Sequence, residues 1–401
     1  MQRDFDLVIV GAGAVGTALA AALRDSGLSI AILDAHEPSR FSLEADLDLR
    51  VFAISCGTQR ILAALGVWQD MQAARISPYH EMYVWDALGG ASIHFDCADV
   101  GEPVLGHIVE NRLIQHVLWR QLEHAAGVTA ICPAQPATLA FEAQGVTLTL
   151  QDGQRLRTRL LVAADGAESA TRRLAGIETR GWSYGQQAMV AHVTTEKPHL
   201  HTAWQRFLPT GPIALLPLHD GRSSVVWSLD ESRAVEINRL DDGGFCAAVT
   251  AASAAILGEV TGTTPRAGFP LRLQHARQYV RPRFALVGDA AHALHPLAGQ
   301  GMNLGFLDAA ALAEVIQDAQ VRHRDIGDLG VLRRYERWRK GDNLIMSIAL
   351  DGFKRLFGNE LPALQLLRDT GLRAVDRFTP LKSAFMKRAM GLHGDLPALA
   401  R

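Results

Sequence analysis

Lysine is nearly missing from this 401-residue chain, in which arginine outnumbers it 35 to 5. That bias alone points to no function. Cysteine is scarcer still: Cys56, Cys97, Cys132 and Cys246 are scattered, and no CxxC pair occurs. This excludes a zinc ribbon and a dithiol motif, and free thiols fit a reducing, cytoplasmic compartment. Net charge is −2, so nothing in the overall balance calls for nucleic acid. A membrane-spanning helix needs about twenty apolar residues. The nearest candidate, Leu7 to Leu23, is preceded by Asp4 and Asp6 and is broken by glycines, which argues against a signal or a span. Internal repeats, low-complexity linkers and a second GxGxxG are also missing.

What is present fits an ordinary globule, with 48% hydrophobic and 20% charged residues. The length suggests about two to three domains, or one large α/β unit with insertions. "DFDLVIVGAGAVGTALAAALRDSG" reads strand, tight turn, helix. Leu7 to Val10 is a short apolar run suited to a buried parallel strand. Gly11, Gly13 and Gly16 then form GxGxxG: the first makes the turn, the second lets a pyrophosphate approach the backbone, and the third lets helix and strand pack. The helix N-terminus offers free N–H groups and a positive dipole to phosphates. A second strand ends at Asp34, 23 residues after Gly11, where an acid binds a ribose hydroxyl. The motif does not distinguish NAD from FAD.

Two later strands also end in acids. Leu160 to Ala164 runs into Asp165-Gly166, and Phe284 to Val287 runs into Gly288-Asp289. Acids at the carboxyl ends of parallel strands sit where open α/β sheets bind ligands. Helix N-capping explains Asp165 equally well. After Asp289 comes "AAHALHPLAGQGMNLG", with Leu304, Leu307, Ala311, Leu312 and Val315 at helical spacing behind it. The spacing predicts a helix from near Met302, with Gly299 and Gly301 just ahead and Asn303 in its first turn. Bare amides there make an anion site. In a flavoenzyme they face the N1–C2=O edge of the reduced ring, Asp289 holds a cofactor hydroxyl, and Pro296 stiffens the loop beside the ring. A metal held by Asp289, His292 and His295 is disfavoured. Pro296 and the glycines break a shared helix face, and no fourth ligand is offered.

Three separated motifs in this order resemble class A FAD-dependent aromatic monooxygenases, the group of para-hydroxybenzoate hydroxylase. The likeness tightens at "LRVFAISCGTQRILAALGVW" (49–68), "GHIVENRLIQHVLW" (106–119) and "GDAAHALHPLAGQGMNLG" (288–305). These stretches, with "RFLPTGPIALLPL" and "MGLHGDLPALA", resemble the ubiquinone-biosynthesis hydroxylases, over nearly the whole chain. The resemblance implies non-covalent FAD, contacted also by Arg50 and Arg112; an ordinary surface or helix-face ion pair is the lesser alternative for each. It implies transient NAD(P)H, addition of O2 at flavin C4a, and oxygen transfer to the ring of a polyprenylated phenol. The cofactor carries that chemistry and the protein supplies position and exclusion of water. No catalytic side chain or base is identified; Pro296 and Gly301 mark the flavin-ring environment. A flavin reductase, a halogenase (disfavoured, since no WxWxIP occurs) and a flavin-binding scaffold within a biosynthetic complex share these motifs.

The expected fold is α/β: a Rossmann-like FAD-binding domain with an inserted sheet-rich substrate domain and C-terminal helices. Residues 1–75, 102–180 and 266–330 form the flavin domain, 76–101 and 181–265 the substrate domain, and 331–401 the helical region. A hairpin is expected at Asp220-Gly221. Leu216, Pro217, Trp227 and Phe269 line an apolar substrate pocket or serve as sheet core. Residues 331–401 carry 14 Lys+Arg against 7 Asp+Glu, interleaved with apolar residues. They read either as solvated helix faces or as a peripheral surface for the inner, anionic face of the cytoplasmic membrane, with Lys382, Lys387 and Arg388 as contacts.

Overall fold

A computed structural model describes residues 2–38, 41–89, 92–294, 299–357 and 378–401. At its centre the strand Gln2–Val10 pairs in parallel with Arg155–Ala163 on one side and Ile30–Leu33 on the other. Phe284–Leu286 and Val128–Ile131 continue the parallel run outward. Three antiparallel strands complete a sheet of eight among the described residues. Parallel strands covered on both faces must be apolar throughout. Leu7, Val8, Ile9 and all of Ile30–Leu33 are fully buried. The helices Ala14–Leu23 and Gln300–Val321 pack on this sheet and on each other.

The second sheet has nine strands among the described residues and is mostly antiparallel. Its spine is the strand Thr179–Thr195, which pairs with Ser223–Asp230 and with Ala267–Ala276. Gly211–Pro217 and Ser223–Asp230 form the expected hairpin, and Gly221 takes φ +88° in its turn. One face of this sheet packs under the helices Glu231–Arg239 and Asp242–Ala252, with Met189, Ile213, Leu215, Trp227 and Phe245 between them. Val51–Ser55, Gly106–Glu110 and Ser77–Tyr79 form a small third sheet with its own antiparallel ladders.

The α/β plan with a sheet-rich insertion and C-terminal helices is therefore present, but strand pairing crosses the expected divisions in more than one place: Ser77–Tyr79, in the expected substrate segment 76–101, pairs with Gly106–Glu110 of the expected flavin segment. The strand Ala267–Ala276 belongs to the second sheet by its ladder, so a break after 265 falls too early. The chain ends in the helices Leu329–Phe357 and Thr379–Ala389. No helix of the described residues is long and apolar enough to cross a membrane.

Candidate active site

Packing dictates two of the three glycines in the first turn. Gly11 sits at φ +108°, and a Cβ there would lie 2.4 Å from the Ala164 carbonyl oxygen. A Cβ on Gly16 would lie 1.9 Å from the Gly11 oxygen. Gly13 differs: an added Cβ would meet only Gln115 Nε2, at 3.9 Å. The protein itself does not require glycine at 13, and the space beside it belongs to a cavity. No side chain caps the helix that follows Gly13. Asp34 stands beside this turn, its carboxylate accepting from the Ala12 N–H at 2.7 Å and the His36 N–H at 3.0 Å.

The cavity measures about 1320 Å³. Ordinary small-molecule pockets hold about 300–1,000 Å³, so this one has room for a large cofactor together with a substrate. It runs from Gly11, Gly13 and Asp34 past Asp165 and Asp289 to Gly299, Gly301, Met302 and Asn303, and on to the open face of the second sheet. That face is hollow because its side chains are small. Ala188, Val190, Ala203, Ala214, Val226 and Ser228 all point into it.

The late loop supplies the middle of the wall. Gly299, at φ +62°, precedes a helix that starts at Gln300, slightly earlier than its apolar spacing indicates. A Cβ on Gly301 would meet only Asp289 Oδ1, at 4.0 Å, so this position too is open on the cavity side. Asp289 is exposed to the cavity rather than to the outer surface, and among the described residues its carboxylate has no hydrogen-bond partner. Its depth in the protein raises its pKa above the ordinary value, against the opposing pull of His292 and Arg50. Arg50 lines the cavity with its guanidinium over the Phe52 ring. His295 and Pro296 lie outside the described residues. No group of three or more His, Cys, Asp or Glu is placed to hold a metal among the described residues.

Several expected contacts are placed differently. Asn303 lines the cavity, but its amide is used by the protein. Nδ2 donates to the carbonyls of Ala53 (2.9 Å) and Gly299 (3.2 Å), and Oδ1 accepts from the Ser55 N–H (3.0 Å). Arg112 is not in the cavity wall; it donates to the Asp46 carbonyl at 2.8 Å and pairs with Asp48 at 3.6 Å. Asp165 lines the cavity and also caps the short helix Ala170–Leu174, accepting from Ser169 Oγ and from the Thr171 N–H at 3.0 Å. Gly16 and Gly288 lie behind the wall, and a Cβ on Gly288 would press on Val15 at 3.2 Å.

Of the four apolar candidates, Leu216 and Phe269 face the cavity. Trp227 and Pro217 do not, and the reason is the two-residue period of a strand. Pro212, Ala214 and Leu216 point one way; Ile213 and Leu215 point the other, into the second core. Pro217 has the parity of that core, and Trp227 lies in it between Val226 and Ser228, which do face the cavity.

Sequence reasoning missed a buried ionic cluster directly behind Asp289. Asp308 is fully buried and accepts from His292 Nε2 (2.5 Å), Arg339 Nε (2.9 Å), Asn343 Nδ2 (3.0 Å) and the Gly288 N–H (3.2 Å). Burial alone would raise the Asp308 pKa. His292, Arg339 and Asn343 outweigh it and hold the carboxyl at about 2. The signal was an acid inside "GFLDAAALA", where every neighbour is apolar. The cluster fixes the backbone of the Gly288-Asp289 turn.

Open space at Gly13 and Gly301, amides at two helix starts and an acid beside each make a cradle for a dinucleotide that carries a ring. The residues present therefore fit FAD. A family model described as FAD binding domain matches residues 4–339. The chain belongs to this family, and its fold is that of the FAD-dependent aromatic monooxygenases. Among curated relatives, the chain is 38% identical over 391 residues to the 3-demethoxyubiquinol 3-hydroxylase of Escherichia coli, covering 98% of this chain and 100% of that one. It is 40% identical over 386 residues to the ubiquinone hydroxylase UbiL of Rhodospirillum rubrum, covering 96% and 89%. Among solved structures it resembles p-nitrophenol 4-monooxygenase PnpA from Pseudomonas putida, with a TM-score of 0.78 at 18% identity over 98% and 99% of the two chains.

Proposed function

We propose that this chain hydroxylates the aromatic ring of a polyprenylated phenol in ubiquinone biosynthesis, consuming NAD(P)H and O2. The near end-to-end match to two ubiquinone-pathway hydroxylases carries the reading. The cavity suits it, with its acids and glycines at one end and an apolar remainder. FAD, when bound, takes electrons from NAD(P)H and activates O2 for transfer to an electron-rich ring. The chain's own residues do the holding. The turn at Gly11 to Gly16 and Asp34 hold the nucleotide half, and Asp289 with the amides at Gly299 to Met302 holds the ring half. Leu216, Phe269 and the small side chains of the second sheet shape a dry chamber for the phenol. The test is purified, flavin-loaded protein given NAD(P)H with and without a prenylated phenol. Product heavier by one oxygen, with reductant use stimulated by the phenol, is expected. Reductant use that ignores the phenol and yields no product would refute the reading.

The substrate's insolubility calls for delivery at a bilayer or from a partner of a biosynthetic complex. We infer peripheral contact with the membrane through the C-terminal helices. The side chains first suggested for it need correction. Lys382 is buried and pairs with Asp99 at 2.7 Å, and Arg388 pairs with Asp342 at 3.3 Å. The exposed apolar residues Leu344, Ile348, Phe378 and Leu381, together with the exposed Lys387, support the contact better. Sedimentation with anionic vesicles should fall in an Ile348→Asp, Leu381→Asp double variant; binding equal to wild type would exclude this face.

A further inference from the structure

The nine-stranded sheet turns an apolar face to the cavity, interrupted among the described residues by two polar side chains, Gln205 and Ser228. Ser228 carries a short hydroxyl at the level of Ala188 and Phe269. Gln205 carries the longer group and lies toward the middle of the face. Its strand, Thr202–Leu208, is hydrogen-bonded to Gly211–Pro217 on one side and to Glu81–Asp86 on the other, which sets Gln205 between Ala214 and Val84. Both of these neighbours line the cavity and neither has a polar side chain. Strand parity sends the adjacent side chains the other way: Trp204 packs on the second core, and Arg206 donates to the carbonyls of Ala251 and Ala252. Gln205 is only 7% exposed, and among the described residues its amide has no hydrogen-bond partner. The backbone around it is spent on the two ladders. An amide in such a place is served by water while the chamber is open. A ligand that fills the chamber and expels the water must offer a partner, or the amide stays buried and unpaired.

We propose that Gln205 is the residue that reads the oxygen pattern of the substrate ring, its Oε1 accepting the O–H of the phenol inside the chamber. The proposal rests on the reading of the substrate given above. The wall assigned to the cofactor is built from the Gly11 turn, Asp34, Asp289 and the amides at Gly299 to Met302, and none of these lies on the strand Thr202–Leu208. The amide is therefore left for the substrate. With Oε1 taken by the hydroxyl, Nε2 remains to donate to an oxygen on the neighbouring ring carbon. A ring without oxygen fills the same apolar chamber and buries the same area, yet leaves the amide dry and unpaired. Selection then comes from rejecting the ring that lacks a hydroxyl, which is how a buried polar group in an apolar site discriminates.

The test is a cycle of protein against ligand that needs no turnover. Flavin-loaded, oxidised protein without NAD(P)H is titrated with a farnesylated phenol and with the same farnesylated ring lacking the hydroxyl, both in mixed micelles, and binding is read from the visible absorbance of the flavin. Wild type should hold the phenol at least about fivefold tighter than the deoxy ring. In Gln205→Leu, which keeps the bulk and removes the amide, that preference should fall to within about twofold or reverse. The deoxy ring should bind the variant at least as tightly as it binds wild type, a gain that a merely structural role for Gln205 does not produce. Gln205→Met should repeat the result in a second apolar, unbranched form, with flavin content and thermal midpoint as checks of folding. A preference that survives in both variants, equal losses on both ligands, or flavin lost from either variant would overturn the assignment. Wild type that holds the two rings equally would do the same. The expected cycle in a protein that hydroxylates no phenol would leave the Gln205 contact standing and remove the proposed reaction instead; hydroxylation with a cycle that fails would do the reverse.

Discussion

Replacing Asp308 by alanine should be among the most damaging single changes outside the cavity. The side chain is fully buried and anchors the Arg339 guanidinium, itself 2% exposed, as well as His292, Asn343 and the Gly288 N–H. Without the carboxylate, Arg339 keeps, among the described residues, only Asn343 Oδ1 at 3.0 Å and the more distant Asp342 at 3.6 Å. Breaking a buried pair by removing one partner costs about 3–5 kcal/mol, because the other charge stays buried. That is a large part of the roughly 5–15 kcal/mol that holds a typical domain. For a chain of this length, with a urea slope above about 3 kcal/mol/M, the midpoint should fall by roughly 1 M. Asp308→Asn, which keeps shape and hydrogen-bonding capacity, should fall less. The two variants also differ from wild type in acid. The folded pKa of about 2 lies below the ordinary 3.8, so Asp308 contributes stability above pH 3.8 that is lost as pH falls toward 2. The difference is worth about 2 kcal/mol. Urea titrations of the flavin-free protein at pH 7 and through the acid range give both numbers. A change below about 1 kcal/mol for Asp308→Ala would refute the reading of this cluster as a buried ionic anchor.

The two kinds of glycine in the first turn separate cleanly. Gly16→Ala should lower the thermal midpoint of the flavin-free protein, whereas Gly13→Ala should leave that midpoint unchanged yet reduce bound flavin, since its Cβ enters cavity space. If both behave alike, the assignment of Gly13 to the ligand is wrong. Asp289→Ala should weaken FAD by about 1.5–3 kcal/mol, or roughly 10- to 150-fold in Kd, by loss of a charge-assisted hydrogen bond; full occupancy at micromolar protein after dialysis would count against it. Burial holds His107 and His275 down to about 4 from the ordinary 6.5, so both are neutral when folded at pH 7. Their contribution to stability is complete above pH 6.5 and disappears as pH falls toward 4. A His107→Gln, His275→Gln double variant should flatten the fall of the urea midpoint across that window, and an unchanged slope would contradict it.

What was legible in the sequence is what is local. Strand, glycine turn, helix and acid follow one another within Leu7 to Asp34, and the structure assembles them in that order. The hairpin at Gly221 and the terminal helices were legible for the same reason. What was not legible depended on partners far along the chain. Whether Trp227 faces cavity or core is a matter of strand parity against helices at 231–252, and the sequence around it is apolar on both sides. Arg112 has Asp46 and Asp48 some 64 to 66 positions away, and Asn303 has Ala53 and Ser55 about 250 away. The Asp308 cluster joins 292, 308, 339 and 343, so only its one acid in an apolar helix marked it in advance. The strand Ala267–Ala276 falls in the 266–330 stretch expected in the flavin domain, but its hydrogen bonds run to Thr179–Thr195.

The central claim is that one atom of O2 reaches the ring of a prenylated phenol in this chamber. It is tested most directly by turnover of flavin-loaded protein under ¹⁸O2 in ordinary water, with mass analysis of the product ring. The account predicts a single ¹⁸O in each new hydroxyl and none from solvent. Hydroxyl oxygen drawn from water, or phenol recovered unchanged while NAD(P)H is consumed, would contradict it.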